Sequence, residues 1–329
     1  IKQEISSVID TEPPTIEVMN APYSLSQGTG GFAVLKAIDA DSVLIQLNNS
    51  TFRAFKMFRE EDIQSPSDTP EQMVQRDGSD TYYVFFPVPF EINKDDVLYA
   101  VARDKAGNQN IRALSTKLKA KQYKTSSITI SDSFINTVVL PLVNETDTDD
   151  PAATFKRVNE EIRKENQKVL IEIARKTLPE VLWDGHFLQL KNTKVMAKYG
   201  DKRIYYYQGE PASRSAHLGY DLASVKNAKV EASNSGVVIF ADDLGIYGNT
   251  LIIDHGLGLM TLYGHLSTIL VKKGQVVEKG EVVARTGSTG LAGGDHLHFG
   301  VLIHGYEVSP LHWWDPKWVK VNILNHITN

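Results

Sequence analysis

Two histidines separated by one leucine occur in GGDHLHFGVL, residues 293–302. On a strand, side chains at i and i+2 share a face, about 7 Å apart along the backbone. His296 and His298 would therefore project together, with Leu297 and Phe299 facing the other way. A second pair, His217 and Asp221, lies in SRSAHLGYDLAS. Gly219 between them disfavours a helix interior by about 1 kcal/mol relative to Ala, and on a straight strand the two would stand about 13 Å apart. To share an ion they need a bend between them, and Gly219 is the residue that allows one. A catalytic zinc takes three protein ligands drawn from imidazole nitrogen and carboxylate oxygen and keeps a fourth position for water. His217, Asp221 and one or both of His296 and His298 could supply that set. Spacing leaves iron and manganese open, although imidazole mixed with carboxylate suits zinc. His265, in TLYGHLS, ends an apolar strand, with Tyr263 expected on the same face.

The elements that must position these groups differ along the chain. The 329 residues, 42% hydrophobic and 23% charged, suggest two or three domains of an ordinary globular protein. A net charge of −5 gives no reason to expect nucleic acid or an anionic membrane as partner. The chain has no cysteine, which excludes disulfides, thiolate nucleophiles and cysteine zinc sites. No run of eighteen apolar residues occurs. The start at Ile1 rather than Met is compatible with an upstream signal or membrane anchor that has been removed.

Residues 1–118 read as short strands between turns: TIEVM, FAVLKAIDADSV, TYYVFFPV and DVLYAVARDKAGN. Leu98, Ala100 and Ala102 alternate with Tyr99, Val101 and Arg103 in the last of these, which suggests a small β-sandwich. Its ending is similar to the final strand of bacterial immunoglobulin-like modules, which implies a spacer or adhesion role. Residues 119–185 read as a small α+β region with one long helix. Asp150-Pro151 marks its start, and Phe155, Val158, Ile162, Val169 and Ile173 define its apolar face. Its polar face mixes both charges, which argues against a membrane-surface helix. From 186 to 329 glycine punctuates short valine-rich segments, an all-β unit that resembles the barrel-sandwich hybrid arrangement. Lipoyl and biotinyl carriers share that arrangement, but the lysines in VKKGQ and VEKGE lack the carrier signature.

All nine histidines lie beyond residue 185. In order, HLGYD, YGHLS and GSTGLAGGDHLHFGV resemble the lysostaphin/LytM-type zinc endopeptidases that cleave peptide cross-links of peptidoglycan. The resemblance covers about residues 200–315, and GIYGNTLIIDHG, SPLHWWDP and the segment with SITISDSFIN are similar to longer, multi-domain exported members. It implies one zinc held by His217, Asp221 and His298, with His265 and His296 as catalytic histidines beside a zinc-activated water. All five positions are retained, which argues for an active enzyme, since degenerate members that lost ligands act as activators. It also implies a cell-envelope location outside the cytoplasm, and it allows a regulatory protein partner.

Gly293 and Gly294 offer close backbone approach to a peptide, and Asn192 is a further candidate substrate contact. His186 and Phe187 are candidates for a wall of the cleft. Asp254 and His255 belong to a tight turn, and His304, His312 and His326 are read as surface or structural. Trp313 and Trp314 anchor the unit by burial. The leading function is a zinc endopeptidase of the cell wall. A non-catalytic wall-binding regulator of another hydrolase, and an adhesive envelope protein, are the alternatives.

Overall fold

The computed structural model describes residues 10–57, 78–93 and 95–327; the expected chain boundaries at 1 and 329 lie outside the described residues. The chain folds as two compact units. Among the described residues, the first takes 10–24, 31–57, 78–86 and 95–118, and the second takes 25–30, 87–93 and 119–327.

The first unit is built from two four-stranded sheets. One runs Thr15–Asn20, Gly30–Ile38, Ser79–Pro87, Phe55–Met57 in spatial order, and the other Ser50–Arg53, Ser42–Leu47, Leu98–Arg103, Gln109–Ala113. Alternation explains the second sheet. Val43, Ile45 and Leu47 are buried while Ser42, Leu44 and Gln46 are not, because successive side chains leave opposite faces. Leu98, Ala100 and Ala102 are buried in the same way, and Val101 is buried with them. Thr15–Asn20 of the first sheet lies against Leu98–Arg103 and Gln109–Ala113 of the second.

The second unit is organised by an eight-stranded sheet. Its order is Lys194–Ala197, Tyr220–Ala223, Leu297–Ile303, Leu259–Gly264, Asn249–Asp254, Gly236–Asp243, Val276–Val277, with Tyr306–Val308 also paired to Leu297–Ile303. Every residue of Leu297–Ile303 is buried, as its near-continuous apolar run requires. Antiparallel neighbours on its two sides place both Asp221 and Gly264 opposite His298.

The middle region expected at 119–185 is not a separate body. Thr125–Ile130 pairs in parallel with Lys202–Tyr207, which pairs in turn with Glu210–Ala216. Ile130, Phe155, Val158 and Leu170 share one core with Ile252, Met260, Leu262 and Leu302 of the large sheet. A lone amphipathic helix must bury its apolar stripe on a neighbour, and here the neighbour is the sheet that carries His298. No helix among the described residues is long and apolar enough to cross a membrane.

The helix starts as its sequence predicts, with the Asp150 carboxylate accepting from the Ala153 N–H at 2.9 Å and Pro151 in the first turn. Its middle, Arg157–Ile162, is wound as a π-helix before α-winding resumes at Arg163–Ala174. The wider turn rotates the following face by about 100°. Phe155 and Val158 are buried as expected, but Val169 is 38% exposed and Leu170 is buried in its place. A pure 3.6-residue period therefore misplaces Val169.

Candidate metal centre and active site

His217 leaves the end of Glu210–Ala216, the chain bends at Gly219, and Asp221 enters Tyr220–Ala223. The bend brings His217 Nε2 within 2.9 Å of Asp221 Oδ1. His298 Nδ1 completes the triangle, 3.0 Å from His217 Nε2 and 3.0 Å from Asp221 Oδ1. Gly219 is needed here for space. A Cβ at this position would lie 2.6 Å from the His298 ring and 2.7 Å from the Phe299 carbonyl.

The surroundings fix which atoms face inward. His217 Nδ1 stands 3.1 Å from the Lys198 carbonyl. A carbonyl can only accept, so Nδ1 carries a proton, and Nε2 is the nitrogen turned toward Asp221 and His298. The second carboxylate oxygen of Asp221 accepts from Arg203 Nη2 at 3.3 Å. Burial alone would raise the Asp221 pKa, but His217, His296 and His298 around it hold the carboxyl well below its usual range. Burial lowers His298 to about 4 against the opposing pull of Asp221, so it is neutral at pH 7. Two imidazole nitrogens and a carboxylate oxygen held ionised thus converge within 3.0 Å of one another. A divalent cation fits that donor set, with His217, Asp221 and His298 as its ligands.

His265 and His296 flank the triangle. The residue alternation that put His265 on the face of Tyr263 does not hold. Tyr263 pairs with Phe299 on one face of the sheet while Gly264 sits opposite His298 on the other. His265 then adopts φ 61°, the left-handed region, and this turns its ring to the His298 side, 5.8 Å between ring centroids. The neighbouring glycine that shapes this corner is Gly248, with φ 61° and a would-be Cβ 2.4 Å from the Thr289 backbone. His296 lies just before the strand, its N–H donating to the Gly287 carbonyl at 3.0 Å. Its ring is 4.8 Å from that of His265, and its Nε2 is 3.6 Å from Asp221 Oδ1. The expected common projection of His296 and His298 is therefore observed.

Each flanking ring is oriented by a backbone carbonyl. His265 Nδ1 donates to Thr289 O at 2.8 Å and His296 Nδ1 to Gly294 O at 2.8 Å, so Nε2 is the nitrogen of each ring available for proton transfer. Their basicities are pushed apart. Burial, followed by the neighbouring His298 and His296, which penalise a second proton in the cluster, lowers His265 to about 3. Burial works the same way on His296, but the Asp221 carboxylate outweighs it and the net effect is a raised pKa. Two titratable groups with opposed shifts side by side are suited to different tasks in one proton transfer.

The site opens into a cleft of about 150 Å³. Gly293 lines it and Gly294 does not, although the Gly294 carbonyl orients His296; a Cβ at either would meet nothing within 4 Å. Asn192 lies outside the lining, exposed in a turn with φ 54°. Its carbonyl accepts from the Ser224 hydroxyl at 3.2 Å, three residues beyond Asp221 and so roughly 10 Å along the strand direction from it. His186 and Phe187 do not form the cleft wall. Phe187 is buried against Trp183, His255 and Trp313. His255 is structural, with its ring nitrogens 2.7 Å from the Ser235 carbonyl and 2.8 Å from the Thr261 hydroxyl. Trp313 is buried as expected and Trp314 is half-buried against Tyr220 and Phe299.

Sequence reasoning missed several contributors. Arg163, Arg203, Ile246 and Tyr247 line the cleft. Buried Asn166 accepts from the Ile246 N–H at 3.0 Å, and buried Glu307 accepts from the Tyr247 hydroxyl at 2.6 Å. A polar residue interrupting the apolar stripe of a helix, as Asn166 does, was the available signal.

Residues 215–310 match the family model described as Peptidase family M23. The chain carries a peptidase M23 domain. A protein named DD-carboxypeptidase/endopeptidase Mpg, from Neisseria meningitidis serogroup B, is 42% identical over 139 residues, which is 39% of this chain and 31% of that protein. Murein hydrolase activator NlpD of Salmonella dublin is 36% identical over 103 residues, 31% of this chain and 27% of its own. The aligned stretch thus spans under a third of either relative's length. A Pseudomonas aeruginosa structure described as a peptidase M23 shares the fold, with TM-score 0.51 and 18% identity over 88% of this chain and 94% of that one.

Proposed function

We propose that the protein is a zinc-dependent endopeptidase that hydrolyses peptide cross-links in peptidoglycan, acting in the cell envelope outside the cytoplasm. One observation carries the reading: three ligand-type atoms within 3.0 Å of one another, with two further imidazoles, each anchored through Nδ1 to a backbone carbonyl, beside them. A resident zinc, one per chain, supplies Lewis-acid activation of water and of the scissile carbonyl.

The chain's own groups do the rest. Arg203 holds the outer oxygen of Asp221, so only Oδ1 faces the ligand triangle. His296, raised in pKa and exposed to the cleft, accepts a proton at Nε2 and returns it to the leaving amine. His265, buried and neutral, is anchored through Nδ1 to Thr289, which leaves its Nε2 as an acceptor that can orient the attacking water. The open glycine edge at Gly293 admits an extended peptide backbone. Residues 1–118, read as an immunoglobulin-like spacer, would serve to place the enzyme in the wall.

Similarity to a relative named as an activator favours a second reading, a non-catalytic regulator with its own protein partner. Retention of both flanking histidines favours the enzyme. Incubating purified sacculi with the zinc-loaded protein, with and without chelator, separates the two. Chelator-sensitive release of uncross-linked muropeptides supports the enzyme; no release in either condition overturns it.

A further inference from the structure

Among the guanidiniums of the cleft, Arg203 is already committed to Asp221. Arg163 is not. It stands at the π-to-α junction of the helix, where its backbone N–H goes to the Glu160 carbonyl. Its side chain turns back along the helix instead. Nε donates to the Asn159 carbonyl at 3.0 Å and Nη2 to Asn159 Oδ1 at 3.0 Å. Asn159 is itself fully buried, its amide donating to the Ser213 hydroxyl at 2.9 Å and the Arg214 carbonyl at 3.3 Å. The buttress therefore reaches from the helix to the strand that ends at His217.

A guanidinium carries five N–H donors in a rigid fork. Two are spent on Asn159. The remaining three make no hydrogen bond or ion pair among the described residues, the buried Glu307 carboxylate acting on the guanidinium only through space, and Arg163 lines the same cleft as His217, Asp221, His265, His296 and His298. Holding a flexible cation in place before any ligand arrives removes the entropy cost of ordering it later. The fork matches the two oxygens of a carboxylate. Ile246 and Leu291, also in the lining, reduce water's competition for that contact.

We infer that Arg163 is a specificity-determining residue that reads a free carboxylate on the peptide substrate. The inference rests on the cleft being a peptide-hydrolysing site. The carboxylate could come from the residue flanking the scissile bond or from the peptide C-terminus, and the experiment separates these sources.

The test uses peptides containing a D-alanyl–diaminopimelate bond in three forms: both carboxylates free, the one beside the bond converted to carboxamide, or the C-terminal one converted. Binding to the zinc-loaded full chain is measured by calorimetry, and cleavage is followed separately by mass spectrometry. The unmodified peptide binds about tenfold or more tighter than one of the two amides, the scale of a charge-assisted contact. That amide names the source. Arg163→Gln weakens binding of the free acid alone and brings the ratio near one, while Arg163→Lys, keeping charge without the fork, retains part of it. Equal binding of acid and both amides by the wild type, or an undiminished ratio in Arg163→Gln, overturns the inference. If Arg163→Gln fails to fold, an undiminished ratio in Arg163→Lys overturns it equally. Intact discrimination without cleavage removes the endopeptidase reading and leaves the carboxylate site standing.

Discussion

His217 Nε2 and His298 Nδ1 stand 3.0 Å apart although 81 residues separate them in the chain. Nothing local holds them together. The contact exists because Tyr220–Ala223 pairs directly with Leu297–Ile303 and the bend at Gly219 folds His217 back over that pairing. The candidate metal site is thus a property of sheet register. A slip of one residue would send either Asp221 or His298 to the opposite face.

Replacing His217, Asp221 or His298 by Ala is expected to remove bound zinc and hydrolysis together. Gly219→Ala makes the sharper case, because Gly219 donates nothing to a metal. The added Cβ would lie 2.6 Å from the His298 ring, forcing the ligand off its position. Zinc affinity should fall about 10- to 100-fold, the scale seen when groups supporting a ligand are disturbed. Mass-spectrometric zinc content after dialysis against graded chelator measures this; wild-type retention in Gly219→Ala would show that the site tolerates a shifted His298.

His265→Ala and His296→Ala should keep near-stoichiometric zinc and lose turnover by about 10²- to 10⁴-fold, the usual contribution of a positioned proton-transfer group. Each ring is anchored through Nδ1 to a backbone carbonyl, outside the ligand triangle. Zinc content and muropeptide release are measured on the same preparations. Loss of zinc in His265→Ala would make it a ligand.

Much of the site was legible because its residue types are scarce and chemically specific. Imidazole and carboxylate at His217, Asp221 and His298 have few uses together, and the glycine between the first two announced the bend. What stayed hidden depends on which strand pairs with which. Arg203 reaches Asp221 from Lys202–Tyr207, and Arg163 arrives on a helix that sequence texture assigned to another region. Periodicity finds an apolar face but not its tertiary partner. The same limit explains Asn192 and Phe187, placed near the cleft by position in the sequence and found in a turn and in the core. It explains His265 too, since alternation assumes a strand that continues, and the backbone turns left-handed there.

The π-wound segment makes a stability prediction that distinguishes the two registers of the helix. Leu170 is fully buried in the core shared with the large sheet, while Val169 is 38% exposed. Leu170→Ala is expected to destabilise the second unit by about 2–5 kcal/mol through lost burial and the cavity left behind. Val169→Ala should change stability by about 0.5 kcal/mol or less. Urea unfolding monitored by circular dichroism compares them. Equal effects would mean the helix keeps an uninterrupted α-period in solution.

His255 gives the protein an acid sensitivity of its own, away from the metal ligands. It is buried without charge between Ser235 and Thr261, and burial lowers its pKa from 6.5 to about 4, the Ser235 carbonyl opposing only in part. Between those values the unfolded chain binds a proton that the folded chain refuses. Stability contributed by the neutral ring is therefore complete above pH 6.5 and is lost progressively as pH falls toward 4. The loss amounts to about 3 kcal/mol by the usual conversion of pKa shift into free energy. His255→Gln cannot take up that proton, so its urea midpoint, lower than wild type at pH 7, should fall less between pH 7 and pH 4.5. Parallel declines in the two proteins would assign the acid sensitivity to other groups.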